Sequence, residues 1–123
     1  MAWQFDNHQP IWVQISDRLL REIISGKYEA GARFPAVREL AAEAAVNPNT
    51  MQRALSHLES KGVLIGNRTA GRTVTADLTL LQNFREQMAE EDTKAYLAVM
   101  AVLGYSAQDA AEWTSRIAGE VNA

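Results

Sequence analysis

Between residues 35 and 60 the chain reads PAVRELAAEAAVNPNTMQRALSHLES: two amphipathic segments with only Ala45, Val46 and Asn47 between them. The first opens on Pro35 and repeats Val37, Leu40, Ala41 and Ala44 on one helical face, leaving Arg38 and Glu39 outside. The second is opened by Asn47, whose side-chain oxygen can cap a helix, and by Pro48, which suits a first helical position because no backbone donor is needed there. At about 100° per residue, Met51, Ala54, Leu55 and Leu58 gather on one side. Asn49, Arg53, Ser56 and His57 fall opposite, with Thr50 and Gln52 on the shoulders. Helices joined by so short a turn pack at a steep angle, and the second turns its polar N-terminal half outward.

The flanks extend this unit. PIWVQISDRLLREIISG places Ile11, Ile15, Leu19 and Ile23 four apart, widened by Trp12, Leu20 and Ile24, behind Pro10 and before Gly26. KYEAGAR then reads as a turn. After Gly62, the β-branched runs VLIG and TVT enclose the polar tip NRTAGR, which predicts a hairpin. Three helices and a hairpin make a winged helix-turn-helix over residues 1–76, mainly α with a small β-hairpin. From Leu78 the pattern becomes one long helix carrying Leu81, Phe84, Met88, Ala95, Val99 and Val102, stopped by Gly104. Ser106 and Asp109 have capping-box spacing for a last helix with Ala110, Trp113, Ile117 and Val121 on its apolar face. Two helices cannot bury such a stripe alone. Residues 77–123 are therefore expected to be a two-helix dimerisation tail, with Leu81, Phe84, Met88, Ala95, Val99, Val102, Trp113 and Ile117 in the seam of a homodimer.

Charge divides at the same place. Residues 1–76 hold 9 Lys and Arg against 7 Asp and Glu, a balance of +2, while 77–123 hold 3 against 8, or −5. An acidic tail should face away from any polyanion, and a modest basic excess over 33–76 is useful if folding gathers it on one face. There is no cysteine, which removes disulfides, thiolate zinc sites and cysteine nucleophiles together. His8 and His57 are the only histidines and lie in different elements, and no glycine-rich phosphate loop follows a strand. No catalytic residue, metal site or cofactor is expected, and the chain is not read as an enzyme. No apolar run approaches the roughly 20 residues that span a bilayer, and MAWQFDNHQP lacks the flanks of a signal peptide. The expected location is the cytoplasm, with no membrane partner.

PIWVQI, AGARFPAVREL, VNPNTMQRALSHLESKGVL and the short glycine-bearing wing together resemble the DNA-binding domain of GntR-family bacterial transcription regulators, over roughly residues 8–76. The brief two-helix tail resembles the YtrA-like subgroup. Two departures stand out: the wing GNRTAGRTV lacks the usual tighter basic-glycine alternation, and Ala36 replaces a frequent serine. The resemblance implies a homodimer on a palindromic double-stranded DNA operator, usually repressing. It also implies DNA contacts by Arg38, by Asn49, Thr50, Gln52 and Arg53 on the third helix, and by Arg68 to Gly71 in the wing.

The residue chemistry reaches the same surface. Base edges in the major groove need forked donors and acceptors, which Arg, Asn and Gln supply, whereas phosphates favour helix N-termini, small hydroxyls and mobile cations. The candidate set is Arg38, Asn47, Asn49, Thr50, Gln52, Arg53, Arg68, Thr69, Gly71 and Arg72, with helix 48–61 in the major groove and wing 66–72 on the backbone or minor groove. Bland readings stand beside these: Asn47 as a plain cap, His57 as a solvated histidine, Arg68 and Arg72 as a solvated charge pair, and Trp12 and Trp113 as core. The alternative function is a winged-helix protein-interaction module without sequence-specific DNA binding. A small-molecule effector, of unknown identity, would act through a cleft at the seam lined by Phe84, Met88, Tyr96 and Trp113.

Overall fold

A computed structural model of the chain describes residues 2–69 and 71–122. It contains helices α1 (Ile11–Ile24), α2 (Val37–Ala44) and α3 (Pro48–Ser60), strands β1 (Leu64–Asn67) and β2 (Gly71–Val74), and helices α4 (Leu78–Val102) and α5 (Ala107–Val121). These fall into two compact units, Met1–Asn83 and Phe84–Ala123, with α4 continuing through the boundary.

In the first unit the stripe of α1 is buried at Ile15, Leu19, Leu20 and Ile23, whereas Ile11, expected in the same stripe, is exposed. The packed part thus begins one turn into the helix. Helix α2 starts at Val37, two residues later than the sequence suggested, and ends on Ala45, which takes a left-handed conformation at φ 58°. From there Val46 N–H reaches back to the Ala41 carbonyl at 3.0 Å, closing the turn in the manner of a helix C-cap. That geometry delivers Asn47 directly to the start of α3. The four apolar residues of α3, Met51, Ala54, Leu55 and Leu58, are all fully buried, so the stripe read from the sequence is wholly used. With Ile15, Leu19, Leu40, Val63, Leu64 and Val74 they form the core.

The hairpin pairs Leu64 with Val74 through Asn67 with Gly71, antiparallel. An isolated β-bridge, missed in the sequence because KYEAGAR reads as a turn, joins it. Arg33 bridges Thr73, Phe34 N–H donates to the Arg72 carbonyl at 2.8 Å, and Val74 N–H donates to the Ala32 carbonyl at 2.8 Å. Strand β2 is therefore flanked on both sides, which anchors the wing to the segment leading into α2. The N-terminal arm is also tied down. Trp3 is buried beneath the Arg18 guanidinium, and the Gln14 side chain bonds Asp6 and Gln9.

In the second unit, Ser106 and Asp109 form the reciprocal capping box expected at the start of α5. Tyr96 OH donates to the Ala110 carbonyl at 3.3 Å, Thr114 Oγ1 donates to the same carbonyl at 2.8 Å, and Ala110 is fully buried where the two helices meet. Much of the remaining apolar surface is uncovered: Val99, Val102, Leu103, Ile117 and Val121 are all exposed.

Candidate nucleic-acid interface

Helix α3 carries most of the candidate surface. Asn47 Oδ1 accepts from Asn49 N–H at 2.7 Å, so Asn47 is a cap. Thr50 and Met51 N–H both donate to the Asn47 carbonyl, at 3.0 and 3.1 Å, and Pro48 has no N–H, so every backbone donor of the first turn is held and the turn is rigid. Asn49, Gln52 and Arg53 are exposed, and Thr50 is half-buried. Gln52 Nε2 donates to Ser56 Oγ at 3.1 Å, one turn on, which steadies the amide along the helix. The guanidinium of Arg53 lies over the ring of Trp12, 4.5 Å from its centroid. Edge-on to that ring, with centroids 5.2 Å apart, sits His57. Two readings are corrected here. Trp12 is half-buried at the margin of the polar face instead of in the core, and His57 is half-buried against it instead of solvated. Burial, and secondarily the charge of Lys61, pushes the His57 imidazole below its ordinary pKa.

Arg38 is exposed in the first turn of α2. In the wing, Asn67 Oδ1 accepts from the N–H and the hydroxyl of Thr69, at 3.0 and 3.2 Å, shaping the tip. Arg68 and Thr69 are exposed there. Gly71 takes φ 75°, a conformation that favours glycine and sets the turn back into β2. Ala70, within the expected 66–72 wing and the expected Arg68-to-Gly71 contact, lies outside the described residues.

Arg72 has a partner that spacing did not reveal. Its guanidinium bonds the Glu59 carboxylate of α3, with side-chain exposures of 17% and 33%. Gly66, directly across the hairpin from Arg72, makes room: a Cβ there would lie 3.3 Å from Glu59 Oε2. The pair braces the base of the wing against α3. Of the two wing arginines, Arg68 is the one at the exposed tip. Beside this brace, a cleft of about 660 Å³ opens between the first turn of α2 and the start of β2, with Arg33, Glu39 and Arg72 among its walls.

The expected seam residues divide by exposure. Leu81 and Met88 are buried and Phe84 and Trp113 half-buried, while Ala95, Val99, Val102 and Ile117 are exposed. A cleft of about 630 Å³ in the second unit is lined by Tyr96, Trp113, Ile117 and Val121, with Thr93 and Thr114. The expected effector cleft shares Tyr96 and Trp113 with it, but Phe84 and Met88 are not among its walls, and Met88 is buried. Among the described residues no group of His, Cys, Asp or Glu could hold a metal ion, and no helix is long and apolar enough to cross a membrane.

The arrangement of α1–α3 and hairpin coincides with a family model. Residues 12–74, just over half the chain, match the model of bacterial regulatory proteins of the gntR family. The chain belongs to the GntR family. Members regulate transcription and are not enzymes. The likeness continues past the winged domain. The HTH-type transcriptional repressor YtrA of Bacillus subtilis is 28% identical over 113 residues, covering 91% of this chain and 87% of YtrA. The HTH-type regulator YhcF of the same organism is 28% identical over 109 residues, covering 89% and 90%. A solved GntR family transcriptional regulator from Listeria monocytogenes is 33% identical and superposes with a TM-score of 0.82 over 91% of this chain and 98% of its own. A match that runs the length of these short regulators takes in the two-helix tail, so this GntR protein is of the YtrA-like type.

Proposed function

We propose that this GntR protein is a sequence-specific DNA-binding repressor that acts as a homodimer on a palindromic operator, residues 1–76 binding DNA and residues 77–123 pairing the subunits. The observation that carries the reading is the division of α3. Its apolar face is fully buried, while its opposite face offers exposed Asn49, Gln52 and Arg53 behind a capped first turn. Those are the side chains whose forked groups match base edges in the major groove. The Thr50 hydroxyl, the Arg38 guanidinium and the positive end of α3 are suited to the flanking phosphates. The wing tip, with Arg68, Thr69 and the Gly71 turn, reaches the backbone or minor groove. Arg72 serves this surface through Glu59 by fixing the angle of the wing. The exposed Val99, Val102 and Ile117 supply the pairing face, which sets the two α3 helices at half-sites about 34 Å apart.

Selection of bound sequences from a random duplex library, followed by titration of the winning site, tests this. The wild type should select a palindrome. Arg53→Ala should cost about 1–3 kcal/mol on that site and relax base preference, while Arg68→Ala should weaken all sequences alike and shallow the salt dependence by about one unit. Equal loss on selected and random DNA for the Arg53 variant would remove α3 from base reading. Failure of the wild type to enrich any sequence would favour a protein-interaction module.

A further inference from the structure

The reading arginine of α3 does not stand alone, and the residue beneath it comes from another helix. We propose that Trp12 of α1 is a positioning residue for DNA recognition: its indole is a platform that holds the Arg53 guanidinium flat and aims its donors outward. The inference rests on the assignment of α3 as the base-reading helix.

Trp12 departs from its own stripe. Ile15, Leu19 and Ile23 in α1 are buried to 3% exposure or less, whereas Trp12 is half-buried, with its ring at the edge of the α3 polar face. Arg53 and His57 lie one turn apart on α3 and meet this ring in two ways. The guanidinium lies over the face at 4.5 Å, and the imidazole meets the indole at 73°. The imidazole thus limits how the indole can turn, and the indole limits where the guanidinium can go. Stacking engages only the flat face of a guanidinium. Its five N–H donors lie in the plane and stay available, in the fork that matches the O6 and N7 acceptors of guanine. Arginine has among the largest rotamer freedoms of any side chain, and binding loses that freedom. A ring that restricts it beforehand lowers the cost of recognition. His57 suits the arrangement because burial and Lys61 favour its neutral form, which adds no repulsion beside Arg53.

A tryptophan that merely filled space would give the same coordinates but different binding behaviour. The test measures affinity for the selected operator and for random duplex in Trp12→Tyr, Trp12→Leu, Arg53→Ala and the Trp12→Leu/Arg53→Ala pair. Leucine keeps an apolar filler and removes the π face; tyrosine keeps an aromatic face. Trp12→Leu should lose about two- to thirtyfold on the operator, the range of a cation–π contact from exposed to desolvated. It should change little on random DNA and should broaden base preference at the position that Arg53→Ala also broadens. Trp12→Tyr should recover most of the loss, and in the Arg53→Ala background Trp12→Leu should have no further effect. Additive losses from the two substitutions, equal loss on random DNA, or tighter operator binding by Trp12→Leu would each overturn the platform, the last because the ring would then be holding Arg53 away from DNA. If the wild type itself shows no sequence preference, the underlying assignment fails instead, and the two failures are told apart by that single control.

Discussion

Helices α3 and α5 were both legible as amphipathic, yet they end in opposite states. Every apolar residue of the α3 stripe is fully buried within its own unit. On α5, Ala110 is fully buried and Trp113 half-buried, but Ile117 and Val121 are exposed, as are Val99 and Val102 on α4. The first unit surrounds α3 with α1, α2 and a hairpin; the second has a two-helix arrangement, and two cylinders in contact shield only a narrow strip of each. Apolar periodicity therefore says which face wants cover without saying what supplies it. Exposed apolar residues of this kind are what the proposed pairing of subunits would cover.

The sharpest way to break that comparison is to charge the uncovered face. Val99→Asp with Ile117→Asp changes two exposed positions, so each chain should still fold, and its circular dichroism should match the wild type. Sedimentation should show monomers, and operator affinity should fall about 100-fold or more, because two half-sites joined in one particle gain effective concentration. A doubly charged variant that remains dimeric would place the seam elsewhere. A smaller contrast follows inside the chain. Leu55→Ala removes a fully buried side chain and should cost about 2–5 kcal/mol in urea unfolding. Val102→Ala, at a position 88% exposed, should stay within about 0.5 kcal/mol when measured on the charged, monomeric background. Similar costs at the two positions would mean that the exposed face of α4 is covered after all.

What the sequence disclosed, and what it hid, follows the same line. Caps and stripes are local, so Asn47, Ser106, Asp109 and the four buried residues of α3 could be identified from spacing alone. The contacts that shape the candidate surface are not local. Arg72 finds Glu59 thirteen residues away, because the hairpin folds back onto α3 and Gly66 leaves space between them. Arg53 finds Trp12 on a different helix, where the apolar stripe gave no hint that the indole would lie at a margin. The bridge at Arg33 forms through the backbone, which side-chain patterning does not report. A polar face can be located from sequence, whereas the orientation of its charged groups depends on which elements fold against it.

The smallest expected effect concerns acid, and it too separates the units, because both histidines, His8 and His57, lie in the first. His57 is half-buried against Trp12, with Lys61 nearby at the C-cap of α3, and Asp17 of α1 shares the small cleft in which it sits. Burial comes first and Lys61 second in lowering its pKa from the ordinary value of 6.5. A base with a lowered folded pKa is protonated more readily when unfolded, so the unfolded chain binds more protons once pH falls below about 6.5. The stability associated with neutral His57 is intact above that value. It declines as the solution is acidified, and the loss is complete below the folded pKa. Urea unfolding of the charged, monomeric variant at pH 7.5 and 5.5 should therefore show a drop at the lower pH that His57→Gln removes, since glutamine does not titrate. Dissociation of the proposed dimer, measured on the protein without the two aspartate substitutions and with its seam in a tail without histidine, should change far less over the same interval. Parallel losses with and without the His57→Gln substitution would remove His57 as the source of the acid sensitivity and leave the contrast between the two units resting on packing alone.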